Sequence, residues 1–152
     1  MISRPTRVFP ARYDWWFFLF VMFVVGVVLG TGIVTALLDD RTAGIIVSCL
    51  TIPVALVFWF MLPRRYELWP DRLQIVLGWP VRLAIPLTTI TEVRSAEVVT
   101  AFVYWGIRFA TSLRTITEVC RSKGRNYILS PVDRDGFIES MNSALLTVRA
   151  RS

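Results

Sequence analysis

The chain has 152 residues, 55% of them hydrophobic and only 18% charged, against about a quarter charged in an average soluble domain. This composition excludes a disordered chain. The absence of any histidine excludes a Ser-His-Asp triad, a Cys-His dyad, a zincin helix and histidine ligation of haem.

Residues 1–14 read as an N-terminal tail carrying Arg4, Arg7 and Arg12. From Trp15 to Leu38 no residue is charged, and none is from Thr42 to Leu62. At about 1.5 Å rise per residue, each run is long enough to cross a hydrocarbon core of roughly 30 Å as a helix. A chain this short cannot enclose two helices that are apolar on every face. The first run also exceeds the h-region of a signal peptide. Residues 15–62 are therefore expected to form a two-helix transmembrane hairpin, turned by Asp39-Asp40-Arg41.

Arg4, Arg7 and Arg12 precede the hairpin, Arg64 and Arg65 follow it, and only Arg41 lies in the turn. The positive-inside rule then puts both termini in the cytoplasm, in a multi-pass inner-membrane protein. Trp15 to Phe18 and Phe58 to Phe60 supply an aromatic belt at that same interface. Gly26 and Gly30 form a GxxxG, and Gly44 and Ser48 a small-xxx-small pair at similar depth. The two pairs are expected to pack together, unless their spacing reflects only the frequency of glycine in membrane helices. Pro53 should kink the second helix, because it lacks an N–H. Neither span carries a charge, which argues against a transporter, a pump or an intramembrane protease.

Residues 66–152 change character. Tyr66 to Trp69 is a first strand, ended by Pro70-Asp71. Arg72 to Leu77 alternates, with Leu73, Ile75 and Leu77 on one face. Gly78-Trp79-Pro80 breaks it, Val81 to Ile85 is a third strand, and Ile90 to Ser95 a fourth. Glu97 to Ala110 favours strand by its β-branched and aromatic residues, with a short amphipathic helix as the alternative. Thr115 to Arg121 and Asn126 to Ser130 flank the turn Ser122-Lys123-Gly124-Arg125. Asp133 then caps a helix whose apolar stripe is Phe137, Met141, Ala144, Leu145 and Val148. The expected core is Leu73, Ile75, Leu77, Ile85, Ile90, Val93, Ile128, Phe137, Met141 and Leu145.

Two stretches of this half, Tyr66 to Val93 and Arg125 to Leu145, resemble the bacterial pleckstrin-homology-like (PH-like) domain family. The matching positions are Tyr66, then Asp71, Leu73 and Ile75, then Ile85-Pro86-Leu87 with Ile90, and Tyr127-Ile128-Leu129-Ser130-Pro131 with Phe137. The resemblance implies a membrane helical hairpin followed by an α+β domain: a bent, partly open β-barrel of about seven strands, capped by a C-terminal helix. It does not bring inositol-phosphate recognition with it. The loop that would supply the cations, Trp69-Pro70-Asp71-Arg72, is short, and Asp71 balances Arg72.

Almost all of the +6 lies in residues 64–152. It reads either as the bias of a cytoplasmic face or as a surface for anionic lipid. Arg121, Lys123 and Arg125 form its densest cluster and are candidate phosphate contacts. Trp69, Trp79, Tyr104, Trp105 and Arg108 are candidate contacts for a partner or a membrane. Phe102, Tyr104, Trp105 and Phe109 offer more aromatic surface than one small barrel buries. No nucleophile has a base, Cys49 and Cys120 form no CxxC, and there is no P-loop or GxGxxG, so no catalytic, metal or cofactor site is expected. No recognition helix or long basic run suggests nucleic acid. The expected function is a non-enzymatic, membrane-anchored interaction or scaffold module, with membrane lipids and another protein as partners. Alternatives are an accessory subunit docked through its hairpin, a homo-oligomer, and an anionic-lipid-binding module.

Overall fold

The computed structural model describes residues 4–96 and 107–150. The chain divides into two compact units, residues 14–61 and a second unit made of residues 1–13 together with 62–152.

The first unit is helical: α1 (Trp15–Leu38), α2 (Arg41–Cys49) and α3 (Thr51–Met61). The turn is tight. Asp39 N–H and Asp40 N–H both donate to the Thr35 carbonyl, and the Asp40 carboxylate accepts from Thr42 N–H at 2.7 Å, capping α2. The break between α2 and α3 falls at Leu50. Pro53 has no N–H to offer the Cys49 carbonyl four residues back, which accounts for it. α1 and the combined helix Arg41–Met61 are each long and apolar enough to cross a membrane, and only 6% of the most apolar window in each is buried. The core helices of a soluble protein, by contrast, are mostly covered.

The packing of the two helices corrects one expectation. Gly44 meets Ala36, and Gly32 meets Ser48: a side chain on Gly32 would begin 2.7 Å from the Ser48 backbone nitrogen. Gly26 and Gly30 have nothing within 4 Å of that position. The close approach in α1 is therefore the pair Gly32 and Ala36. The tight turn brings Gly44 opposite Ala36, which leaves Gly26 and Gly30 on an uncovered face.

The second unit has two four-stranded sheets and a helix. Sheet 1 runs in the order β1 (Arg7–Pro10), β2 (Arg65–Leu68), β3 (Arg72–Val76), β4 (Arg82–Pro86), all antiparallel. A single 3-10 turn (Leu87–Thr89) leads to β5 (Ile90–Ser95). Sheet 2 has an antiparallel core of β5, β7 (Thr117–Arg121) and β8 (Tyr127–Leu129). On the β8 edge, β6 (Ile107–Phe109) is added in parallel. α4 (Arg134–Arg149) follows, with its Asp133 cap accepting from Gly136 N–H at 3.0 Å. Two isolated bridges, Ala11 with Pro131 and Tyr13 with Thr111, link the continuation of β1 to sheet 2. Among the described residues the strands number eight rather than about seven, and they form two sheets rather than one closed barrel.

The extra strand comes from the segment read as a tail. Arg7 pairs with Leu68, Phe9 with Tyr66 and Pro10 with Arg65. Everything from Ala11 to Arg64, the helical hairpin included, is thus the connection between two adjacent antiparallel strands. Nothing local in Arg7-Val8-Phe9-Pro10 signals this, because β1 finds its partner only beyond both helices.

The core lies between the inner faces of the two sheets and α4. All ten expected core residues are buried, but Ile128 is not with the others. It packs with Ile116 in a separate small cluster, because β8 alternates and turns Tyr127 and Leu129 to the main core instead. Phe137 is fully buried and meets Phe9 edge-on at 5.2 Å between ring centroids. Tyr66 lies at the centre. Its hydroxyl donates to the Phe109 carbonyl at 3.2 Å and accepts from Ser130 N–H at 3.1 Å, tying sheet 1 to sheet 2. Burial pushes the Tyr66 phenol up to about 12.

Candidate functional site

The two ends of sheet 1 differ in chemistry. At one end, here the junction end, both segments leading to the helices leave the sheet. Ala11 N–H donates to the Arg64 carbonyl at 3.1 Å, and Arg64 N–H donates to the Val76 carbonyl at 2.8 Å. The Tyr13 hydroxyl donates to the Pro63 carbonyl. The β3–β4 turn belongs to this end too, because β3 runs toward it and closes through Leu77 N–H to the Val81 carbonyl at 3.1 Å. At the far end lie the β2–β3 turn and the β7–β8 hairpin. They are linked by Leu87 N–H to the Asp71 carbonyl and by Ser122 N–H to the Thr89 carbonyl, each 2.9 Å.

This polarity separates residues grouped by sequence. Trp69 is at the far end, with the Arg72 guanidinium over its ring at 5.1 Å. Trp79 is at the junction end and is 78% exposed. The length of β3 lies between them, roughly 16 Å at 3.3 Å per residue, so they do not share one surface. Tyr104 and Trp105 lie outside the described residues. Arg108 is in β6, its backbone paired with Ile128. Of the aromatics from Phe102 to Phe109, the structure places Phe109, which stacks on Tyr127 at 6.2 Å and packs against the main core.

Arg121, Lys123 and Arg125 are on the far-end hairpin, whose turn uses Gly124 at φ +94°, a conformation that favours glycine. They do not converge on one point. Arg121 folds back over the Tyr127 ring at 5.6 Å, with its Nε 3.3 Å from Thr89 Oγ1. Lys123 and Arg125 stay exposed. Behind this hairpin Glu118 is 1% exposed and accepts from Arg94 at 2.9 Å and from Asn126 at 3.0 Å. Burial and the neighbouring Glu118 push the Cys120 thiol up, the opposite of an activated thiolate. Among the described residues no group of His, Cys, Asp and Glu is arranged to hold a metal.

Two features escaped the sequence, the first because it depends on β1 and the second because it depends on the register of β2, β3 and β4. One is a groove of about 360 Å³ lined by Thr6, Arg7, Trp69, Ser140 and Ser143, between the β1–β2 edge and α4. Arg7 crosses it to Ser140 Oγ at 2.7 Å. The other is the company Trp79 keeps at the junction end: Val81, 41% exposed, and the exposed Arg64, Arg65 and Arg82. Arg65 and Arg82 flank Val76 as its partners across the sheet.

Comparison of the chain with protein-family models, with curated proteins and with solved structures found no match.

Proposed function

We propose that this chain is a non-enzymatic, membrane-anchored interaction module. In this reading α1 and the helix from Arg41 to Met61 cross the bilayer as a hairpin. The two sheets and α4 form a PH-like domain on the cytoplasmic face, where it holds a partner protein beside the membrane. One observation carries the reading: β1 and β2 pair directly across the whole hairpin. Strands that are hydrogen-bonded neighbours must lie on one side of a bilayer, so an even number of crossings lies between them, and the two apolar helices supply two. The five arginines that flank the hairpin, Arg4, Arg7, Arg12, Arg64 and Arg65, against one in its turn favour the cytoplasmic side. The meander β2–β3–β4, the second sheet and the core-packed C-terminal helix support the PH-like reading. The missing His and the raised Cys120 thiol support a role without catalysis.

The test is topological. Reporters fused before Met1 and after Ser152 should both be active only in the cytoplasm, and a single introduced cysteine at Asp39 should react with an impermeant reagent added outside. Termini found on opposite sides would overturn the proposal. A second reading, an accessory subunit docked through its hairpin, is favoured by the uncovered Gly26 and Gly30 face of α1. Under it, gentle detergent extraction yields a stoichiometric complex whose native mass drops when Gly26→Leu and Gly30→Leu are introduced.

A further inference from the structure

The β3–β4 turn carries an apolar, aromatic tip, and its Trp79 is the most exposed large hydrophobic side chain among the described residues of the sheet domain. Trp79 is 78% exposed and Val81 41%, with Pro80 between them also exposed. The turn is held by Val81 N–H donating to the Gly78 carbonyl at 2.7 Å and by Leu77 N–H to Val81. The tip is therefore a built feature with its indole directed away from the core. Exposed Arg82 follows it in sequence, and Arg64 and Arg65 are brought beside it by the β2–β3 pairing. Arg65 has Glu67 as an ion-pair partner at 2.7 Å. Arg82 has no acidic partner among the described residues.

The covalent chain limits how far this tip can be from the end of α3. Arg65 follows Met61, the last residue of α3, by four peptide steps, a reach of at most about 14 Å. Val76 is paired with Arg65, and Trp79 is three residues on. The cross-strand step and three further residues extend that bound to about 30 Å for Trp79, and a tryptophan tip with arginines at the same end of its sheet, tethered within that reach of an apolar helix, has the chemistry of a bilayer interface. The indole is amphipathic and favours the headgroup layer, and the guanidinium groups favour anionic headgroups.

We propose that the β3–β4 turn is a second membrane contact. Trp79, with Pro80 and Val81, enters the headgroup layer of an anionic bilayer, and Arg64, Arg65 and Arg82 neutralise lipid phosphates around it. The contact would fix the domain's stance on the membrane and turn the far end, with Lys123 and Arg125, toward the cytoplasm. The inference rests on the spanning hairpin proposed above.

The test uses the full chain in lipid nanodiscs of equal parts phosphatidylglycerol and phosphatidylcholine, beside a Trp79→Phe variant. The difference between their emission spectra isolates Trp79. Its exposure in the fold makes the variant structurally mild, which an unchanged melting temperature verifies. Expected is a blue-shifted Trp79 signal, quenched by lipids brominated near the headgroup and quenched by acrylamide several-fold less than a free indole. Changing Arg64, Arg65 and Arg82 together to Gln, or using phosphatidylcholine alone, should restore much of the acrylamide quenching. A Trp79 signal quenched as a free indole in the anionic nanodiscs, or protected only once a second protein is added, overturns the lipid contact and leaves the hairpin reading standing. A chain that alkaline carbonate strips from native membranes overturns both.

Discussion

The pairing of β1 with β2 makes a sharp prediction about which piece of the chain folds alone. Replacing residues 14–61 with a Gly/Ser linker of about five residues, within the usual range of hairpin loops, should give a soluble, cooperatively folding domain. A chain that simply starts at Leu62 should not. The difference is β1. Phe9 is 7% exposed and seals the core edge-on to Phe137, and Phe9→Ala alone should cost about 3–5 kcal/mol. A domain of this size has roughly 5–15 kcal/mol in total, so the chain starting at Leu62 loses at least about a fifth of it and bares the β2 edge. The linker works in the opposite direction. A flexible connection of about five residues costs about 2 kcal/mol less closure entropy than an unstructured one of roughly 50 residues would, some three doublings in length. Thermal melting compares the three chains, and hydrogen exchange at Ala11, whose N–H is bonded to Arg64, reports β1 directly. If the chain starting at Leu62 melts with the linked one, β1 is dispensable and the reasoning fails.

Other consequences follow from single side chains. Tyr66→Phe leaves Ser130 N–H without its acceptor and should cost about 1–3 kcal/mol. The same variant tests the phenol. Because its folded value is raised to about 12 from an ordinary 10.0, the folded state holds the proton longer than the unfolded state. Stability should therefore fall as pH rises from 10 to 12, by roughly 2–3 kcal/mol, and Tyr66→Phe should flatten that part of the denaturation profile. Phe137→Ala, at a fully buried site between Phe9 and Tyr66, should cost about 3–5 kcal/mol by chemical denaturation. In the hairpin, Gly32→Leu or Gly44→Leu should destabilise by at least about 1–3 kcal/mol through overpacking. Gly26→Leu and Gly30→Leu should change the stability of the isolated hairpin by less than about 0.5 kcal/mol; reversible unfolding in detergent distinguishes the two pairs.

Much of this fold was legible because its signals are local. Alternation marks β3, Asp133 and the stripe from Phe137 to Leu145 mark α4, and the uncharged runs mark the helices. Pro53 announced the break at Leu50. What escaped was long-range. The segment Arg7 to Pro10 carries two turn-compatible ends and one aromatic, and only Tyr66 and Phe137, distant in sequence, make Phe9 a core residue. The Gly26 and Gly30 spacing matched a packing motif, but the register set by the Asp39–Asp40 turn selected Gly32 and Ala36 instead. Trp69 and Trp79 lie apart for a similar reason. Trp69-Pro70 and Trp79-Pro80 are the same dipeptide ten residues apart in sequence, and the strand between them sends the two turns to opposite ends of a sheet.

The same long-range pairing orders the steps by which the domain can be completed. β1 is the first element in the chain, yet its hydrogen-bond partner β2 lies after both apolar helices. Until β2 is available, Phe9 has neither Tyr66 beside it nor Phe137 against it. The meander β2–β3–β4 has only short connections and can form without β1, whereas closing β1 onto β2 requires the ends of the hairpin to be brought together first. Within the hairpin, the Asp40-capped turn and the Gly32–Ser48 and Gly44–Ala36 contacts hold the two helices side by side. In this fold the apolar helices are therefore also the covalent connection between the first two strands of the sheet domain, and a change that splays them should loosen β1 even where every contact within the domain is left intact.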